Sequence, residues 1–194
     1  MTLFKILYWA ALIVEIIIRA PYQRKRRQST GKTVNAATRT EVILLTLLFI
    51  AGLPLPLIYT FTGWLGFADY ILPEWAGGLG AAVMALGLFV FYRAHTDLRQ
   101  NWSPTLEVYE EHTLITDGIY RKIRHPMYLS QFLVATAQAL LLWNWLAGPL
   151  SIVVFALFYL FRVPEEEKMM LSTFGEQYHA YMQQTGGILP KVGK

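Results

Sequence analysis

The sequence predicts an all-α integral membrane protein with about five transmembrane helices and a C-terminal helical hairpin flanked by polar cytoplasmic segments. Three observations carry this expectation. Hydrophobic residues make up 55% of the 194-residue chain and charged residues 15%, and the charges gather in clusters that leave long stretches with none, which soluble domains rarely show. Several of those stretches reach the roughly 20 helical residues needed to cross a hydrocarbon core of about 30 Å. Finally, 16 of the 17 Lys and Arg residues fall in segments that alternate crossings would place on one side.

The elements follow in chain order. "LFKILYWAALIVEIII" is interrupted by Lys5 and Glu15, and a signal peptide has to be considered. No A-x-A-like cleavage site follows, so the segment reads as a retained anchor helix. Glu15 lies one helical turn before Arg19, a pair expected near the headgroups. Val42 to Ala68 is uncharged over 27 residues and is expected to hold one span, as is Trp75 to Tyr92 over 18. Pro126 to Phe161 is uncharged over 36 residues, too long for one crossing. Its middle reads "WNWLAGP", where Asn144, Gly148 and Pro149 favour a turn between two helices of about 18 residues.

With five spans, segments 19–41, 93–125 and 162–194 share one side, and only Lys5 among the cations lies opposite. The positive-inside rule then puts the N-terminus outside and the C-terminus in the cytoplasm. The whole chain, 1–194, is expected to form one membrane-embedded domain. Residues 1–95 supply three spans, and 96–194 supply a cytoplasmic strap, the hairpin and a C-terminal helix. "RAPYQRKRRQSTGK" could be mistaken for a nucleic-acid patch, but beside a span it reads as a topology signal touching the anionic headgroups of the bilayer. No nucleic-acid partner is expected.

Absent residue types narrow the chemistry. Without Cys there is no disulfide, thiol nucleophile or Cys-bound zinc. The four His residues, His95, His112, His125 and His179, make no HExxH or i,i+4 pair, so no metal is expected. "GGLGAA" at 77–82 resembles a fragment of a dinucleotide fingerprint but lies within a span, not after a strand. Gly77, Ala81 and Ala85 instead predict a small-residue face for close helix packing.

The remaining polar residues lie in two cytoplasmic stretches, 103–128 and 161–190, which the hairpin brings together. In the first, Pro126 suits the opening turn of a helix and His125 its cap. Tyr128 and the uncapped N–H groups then face the same small volume. "HTLITDGIY" reads as an irregular strap ending in a turn-prone Asp-Gly. In the second, Arg162 and Glu166 are spaced i,i+4, and Glu165 shares their face if the helix continues through Pro164. Such a set forms either an interfacial salt bridge beside a solvated run of Glu165, Glu166 and Glu167, or a guanidinium clamp for a carboxylate.

The blocks G-I-Y-x-x-x-R-H-P-x-Y at 118–128 and R-x-x-E-E-E…F-G-x-x-Y-x-x-Y at 162–181 recur in the order and about the spacing of the isoprenylcysteine carboxyl methyltransferases. From about residue 105 to 190 the chain resembles a small prokaryotic form of that family. Upstream, the likeness is one of hydropathy alone. The chain departs from the pattern at Ser130, where family members often carry Gly.

The resemblance implies S-adenosyl-L-methionine as cofactor, held between cytoplasmic cofactor-binding segments and the hairpin by His112, Thr113, Leu114, Ile115, Tyr120, His125, Pro126, Met127, Tyr128 and Glu166. It implies that Arg162 is the catalytic, substrate-side residue, facing a lipophilic carboxylate that arrives between helices from the bilayer. An acceptor carboxylate is already ionised at neutral pH and needs no general base. What it needs is positioning and partial desolvation. A phospholipid or other lipid N-methyltransferase, a sterol-type reductase using NADPH and a non-enzymatic lipid-binding protein stay open as alternatives. For an amine acceptor, Arg162 would be a poor clamp.

Overall fold

The computed structural model describes residues 2–28, 38–98 and 113–191. Its regular structure is helical: α1 (Leu3–Gln28), α2 (Arg39–Gly52), α3 (Pro54–Phe61), α4 (Glu74–Leu98), α5 (Pro126–Leu141), α6 (Leu150–Phe174) and α7 (Glu176–Gln184), with 3-10 turns at Gly66–Ala68 and Gly118–Arg121. Among the described residues, two segments are long and apolar enough to cross a membrane, Arg39–Phe61 and Glu74–Leu98. By the same measure α5 is short at 16 residues, and α6 turns polar in its second half.

The uncharged run from Val42 supplies one segment of spanning length, Arg39–Phe61, as expected, though not as one unbroken helix. It breaks at Leu53 between α2 and α3, and helix ends at Phe61. Pro54 and Pro56 have no N–H for the carbonyls of Ile50 and Gly52, so the ladder cannot pass through. Side chains from elsewhere take up the slack. Tyr8 donates its hydroxyl to the Gly52 carbonyl at 2.6 Å, and Gln138 donates to the Ala51 carbonyl at 2.9 Å. The break thereby ties α1 and α5 to the middle of this segment.

Helix α4 packs most extensively against α5. Its small-residue face differs from the expected one, because Ala85 is exposed. The close approach falls instead at Gly80 and Gly87. A methyl group at Gly80 would stand 2.8 Å from Leu140 Cβ, and one at Gly87 3.2 Å from Leu133 Cβ. Gly77 is also buried, but against Phe4 of α1. One apolar cluster joins α1, α4 and α5 through Tyr8, Ala11, Met84, Ala137 and Leu141. A second joins α2 and α6 through Leu44, Phe155 and Phe158, with Tyr128 and Phe132 of α5 against it.

Residues 142–149 connect α5 to α6, where Asn144, Gly148 and Pro149 predict a turn. Asn144 is fully buried and spends its whole amide. Its Nδ2 donates to Leu65 O at 2.7 Å and Asp69 Oδ1 at 2.8 Å, while Oδ1 accepts from the N–H groups of Leu146 and Ala147. Backbone bonds from Tyr70 N to Trp143 O and from Trp145 N to Ala68 O complete the tie. At the opposite end of α5, the expected irregular strap is present as residues 113–117, without helix or strand. Gly118 follows at φ 57, with Asp97 Oδ2 only 2.3 Å from where a Cβ would lie, so both the backbone and the space require glycine. Asp97 Oδ2 also accepts from Ile119 N at 2.8 Å, anchoring the strap to the end of α4.

Candidate active site

A cavity of about 710 Å³ runs between α1, α2, α5 and α6 and reaches the strap. That volume is in the range typical of small-molecule sites. Its wall takes in Thr113, Leu114, Ile115, Tyr120, His125, Pro126, Met127, Tyr128, Arg162 and Glu166, so the site residues expected from the sequence line one space. His112 lies outside the described residues. Residues of α1 and α2, among them Tyr8, Glu15, Arg19 and Leu48, complete the wall.

His125 is the N-cap of α5 and Pro126 its first residue, as the sequence predicts, but the imidazole does not cap. The His125 N–H is instead satisfied by the Gly187 carbonyl at 3.1 Å, and Arg124 N donates to Gly186 O at 2.9 Å. The ring faces α6. His125 Nε2 lies 3.0 Å from Glu167 Oε1, and Nδ1 stands 3.8 Å from Glu166 Oε1. One turn along α5, Tyr128 donates its hydroxyl to Glu166 Oε2 at 2.7 Å.

Helix α6 does continue through Pro164, and this sorts the three glutamates. Successive residues point about 100° apart around a helix, so neighbouring carboxylates reach different partners. Glu165 points outward to Lys168 at 2.7 Å and does not join Arg162 and Glu166. Glu166 faces the cavity. Glu167 lies in a network with Arg124 and His125, so the alternative of a solvated run of three glutamates does not hold for it. Arg124 donates through Nε to Glu167 Oε1 at 3.0 Å and through Nη1 to the carbonyl of Thr185 at 2.6 Å, so it also fastens the chain after α7. The His125 hydrogen bond, reinforced by Arg124, holds the Glu167 carboxyl below its ordinary value despite partial burial.

Arg162 is buried, and its first partner is one the sequence reading missed. Its Nη1 pairs with Glu41 Oε1 of α2, while Nε stands 4.0 Å from Glu166 Oε2. The spacing Thr38-x-x-Glu41 marks a helix capping box and gives no sign of this longer-range pair. Thr38 does cap α2, accepting from Glu41 N at 3.2 Å, but the carboxylate crosses to Arg162.

The i,i+4 pair expected between Glu15 and Arg19 forms at 3.6 Å. It borders the cavity, and Gln131 Nε2 donates to Glu15 Oε1 at 2.7 Å. Tyr181 donates to the Tyr120 carbonyl at 2.6 Å, and burial pushes its phenol up to about 12, so it is a neutral donor. Ser130, at the position where the resemblance favours Gly, is buried and bonds back to the Met127 carbonyl at 2.7 Å. Among the described residues no group of three or more His, Asp or Glu side chains is placed to hold a metal.

The comparisons with known proteins converge on the same region. Residues 80–172 match the model of the isoprenylcysteine carboxyl methyltransferase (ICMT) family. The protein-S-isoprenylcysteine O-methyltransferase of Tribolium castaneum is 31% identical over 121 residues, 61% of this chain and 43% of that protein. The enzyme of the same name from Schizosaccharomyces pombe is 34% identical over 83 residues, 43% of this chain and 35% of that one. Protein-S-isoprenylcysteine O-methyltransferase B of Arabidopsis thaliana is 29% identical over 124 residues, 61% of each. The chain thus spans less than two thirds of each of these relatives. The solved structure of the eukaryotic intramembrane Ras methyltransferase ICMT superposes with a TM-score of 0.59 at 24% identity, over 95% of this chain and 62% of that one. The fold is shared along nearly the whole chain, and the matched segment carries most of α4, all of α5 and nearly all of α6. Residues 80–172 are thus similar to the isoprenylcysteine carboxyl methyltransferase family, and the chain shares the fold of its solved member.

Proposed function

We propose that this chain is an S-adenosyl-L-methionine-dependent membrane methyltransferase that esterifies the carboxylate of a lipophilic, prenylcysteine-like acceptor at the cytoplasmic face of the bilayer. The observation that carries the reading is that one cavity joins two kinds of wall. At one end stand Glu166, His125, Tyr128 and the strap; away from it the lining is apolar, with Leu45, Leu48, Phe49 and Phe155. A water-soluble cofactor and a lipidic acid need these two environments side by side.

In this reading α1, α2 with α3, α4, α5 and α6 make five crossings, α5 and α6 forming the C-terminal hairpin. The N-terminus lies outside and the C-terminus in the cytoplasm. Large apolar side chains turned outward support it: Ile17 on α1, Ile43 on α2, Phe89 on α4 and Leu160 on α6 are all more than half exposed. Outward apolar surface on every one of these elements suits contact with lipid.

The residues present fit the cofactor. Glu166 is part-exposed and keeps Oε1 beyond hydrogen-bond distance of His125, so it can receive an ammonium group. Residues 113–116 commit their backbone to no helix or strand and can meet a ligand's polar edges. Thr113, Leu114, Ile115, Tyr120, His125, Pro126, Met127, Tyr128 and Glu166 would hold the group, and His112 by resemblance. When bound, it supplies an electrophilic methyl on a sulfonium sulfur.

Arg162 orients the acceptor carboxylate, and the apolar wall strips part of its water. With the nucleophile ionised, no side chain has to remove a proton. Effective alignment of two bound reactants accounts for several kcal/mol of barrier lowering in general.

Titration of the detergent-solubilised protein with S-adenosylhomocysteine and with NADPH tests the reading. Saturable binding of the former and none of the latter is expected; the reverse would identify a reductase. Arg162→Lys keeps the charge but loses the planar fork, so turnover of a carboxylate acceptor falls, on the order of tenfold to a thousandfold, with cofactor affinity little changed. A parallel collapse of cofactor binding would remove Arg162 from the acceptor side.

A further inference from the structure

We infer that Glu41 is a positioning residue which shares the Arg162 guanidinium with the acceptor carboxylate and so keeps that carboxylate reactive. The inference rests on the reading of Arg162 above. Glu41 lies outside the segment that matches the family, on α2, 121 residues from its partner.

Both partners are almost wholly out of solvent, Arg162 at 8% and Glu41 at 7% exposure. A guanidinium this buried needs a compensating charge, and Glu41 supplies it through Nη1. Glu166 adds a second, more distant charge, at 4.0 Å from Nε and already engaged by the Tyr128 hydroxyl. Arg162 Nε and Nη1 are both buried without a hydrogen bond, on a side chain that lines the cavity. The arginine therefore arrives with its charge paired at Nη1 and donor hydrogens still open to a ligand.

That arrangement matters for the chemistry. An unshared guanidinium in an apolar cavity would bind a carboxylate tightly and draw charge from the very oxygen that must attack. Tight binding of the ground state raises affinity without raising turnover. With Glu41 on the same guanidinium, the acceptor meets an oriented donor whose charge is already mostly balanced. The capping-box spacing shows that Glu41 forgoes a local bond to do this, since its carboxylate leaves the α2 N-terminus for α6.

The test uses the full chain in detergent with an N-acetylated S-prenylcysteine and its carboxamide as probes, loaded with S-adenosylhomocysteine for binding and with S-adenosyl-L-methionine for turnover. Glu41→Gln should bind the carboxylate probe on the order of tenfold tighter, with the carboxamide unchanged. The acceptor KM and kcat should both fall. Glu41→Asp, which keeps the charge but retracts it by one methylene, should shift the same way by less, and serves if the Gln variant does not fold. A merely structural pair gives another pattern: both probes and the cofactor weaken together and the thermal midpoint drops. That pattern, or unchanged carboxylate affinity in the variants, overturns the inference. Arg162→Lys separates the two levels. If it leaves carboxylate affinity untouched the acceptor reading itself fails, whereas a loss there with no effect of Glu41 substitution sinks only the sharing.

Discussion

Replacing Glu167 by Gln tests whether the middle of the site is built as described. The substitution keeps shape and removes the charge that Arg124 and His125 both use, each at 3.0 Å. Hydrogen bonds to charged groups contribute about 1.5–3 kcal/mol each, but Arg124 retains the Thr185 carbonyl and Gln can still accept one bond, so a net loss of about 2 kcal/mol is expected. For a chain of this size that corresponds to a fall of roughly 4–8 °C in thermal midpoint. Glu165→Gln is the internal control, because its pair with Lys168 is more than half exposed on both sides and should change stability by less than about 0.5 kcal/mol. Acid provides a second reading of the same group. Its carboxyl titrates below the ordinary value of 4.5 in the folded protein, so the stabilisation is complete above that value and fades as pH falls through the lower, folded one. The wild type should lose midpoint across that acidic window and Glu167→Gln should lack this component. Equal midpoints for the Glu165 and Glu167 variants at neutral pH, measured by intrinsic fluorescence in detergent, would refute the network.

Two other outcomes follow from the geometry. Glu166→Gln should weaken S-adenosylhomocysteine binding about tenfold while Glu165→Gln leaves it unchanged, read by calorimetry, because Glu166 lines the cavity and Glu165 does not. Gly80→Ala should destabilise by about 1–3 kcal/mol by driving a methyl into Leu140, whereas Gly78→Ala, with open space around it, should be neutral or slightly stabilising in the same melt.

How far the sequence could be read depended on the range of the physics involved. The start of α5 at Pro126 with His125 at its cap position, and the irregular connection around Asn144, rest on Gly and Pro and are local, and each is where the pattern puts it. The break at Leu53 is equally local, since Pro54 and Pro56 stand beside it. The Arg162–Glu41 pair was not legible, because nothing in either neighbourhood encodes a contact between α2 and α6. Glu166 and Glu167 show the same limit at a finer scale. Adjacent carboxylates differ by one step around the helix, and which of them meets His125 is set by the rotational phase of α6 against α5. The packing face of α4 failed for the related reason that glycines at several phases were available and only the neighbour chooses among them.

The Asn144 tie has a mechanical consequence. The turn between α5 and α6 is clamped to residues 65–70 through two bonds of the buried Asn144 amide and two of the backbone, while the Asn144 Oδ1 braces the turn itself through Leu146 N and Ala147 N. The other ends of these helices are joined by charges that have more than one possible partner. Arg162 lies twelve residues past Leu150, roughly 18 Å along the axis. A pair of helices fastened at one end and exchangeable at the other behaves as tongs with a fixed pivot. A given rotation of α6 about its fixed end would therefore displace Arg162 far more than the turn, so the seating of the guanidinium depends on the charges that meet it there.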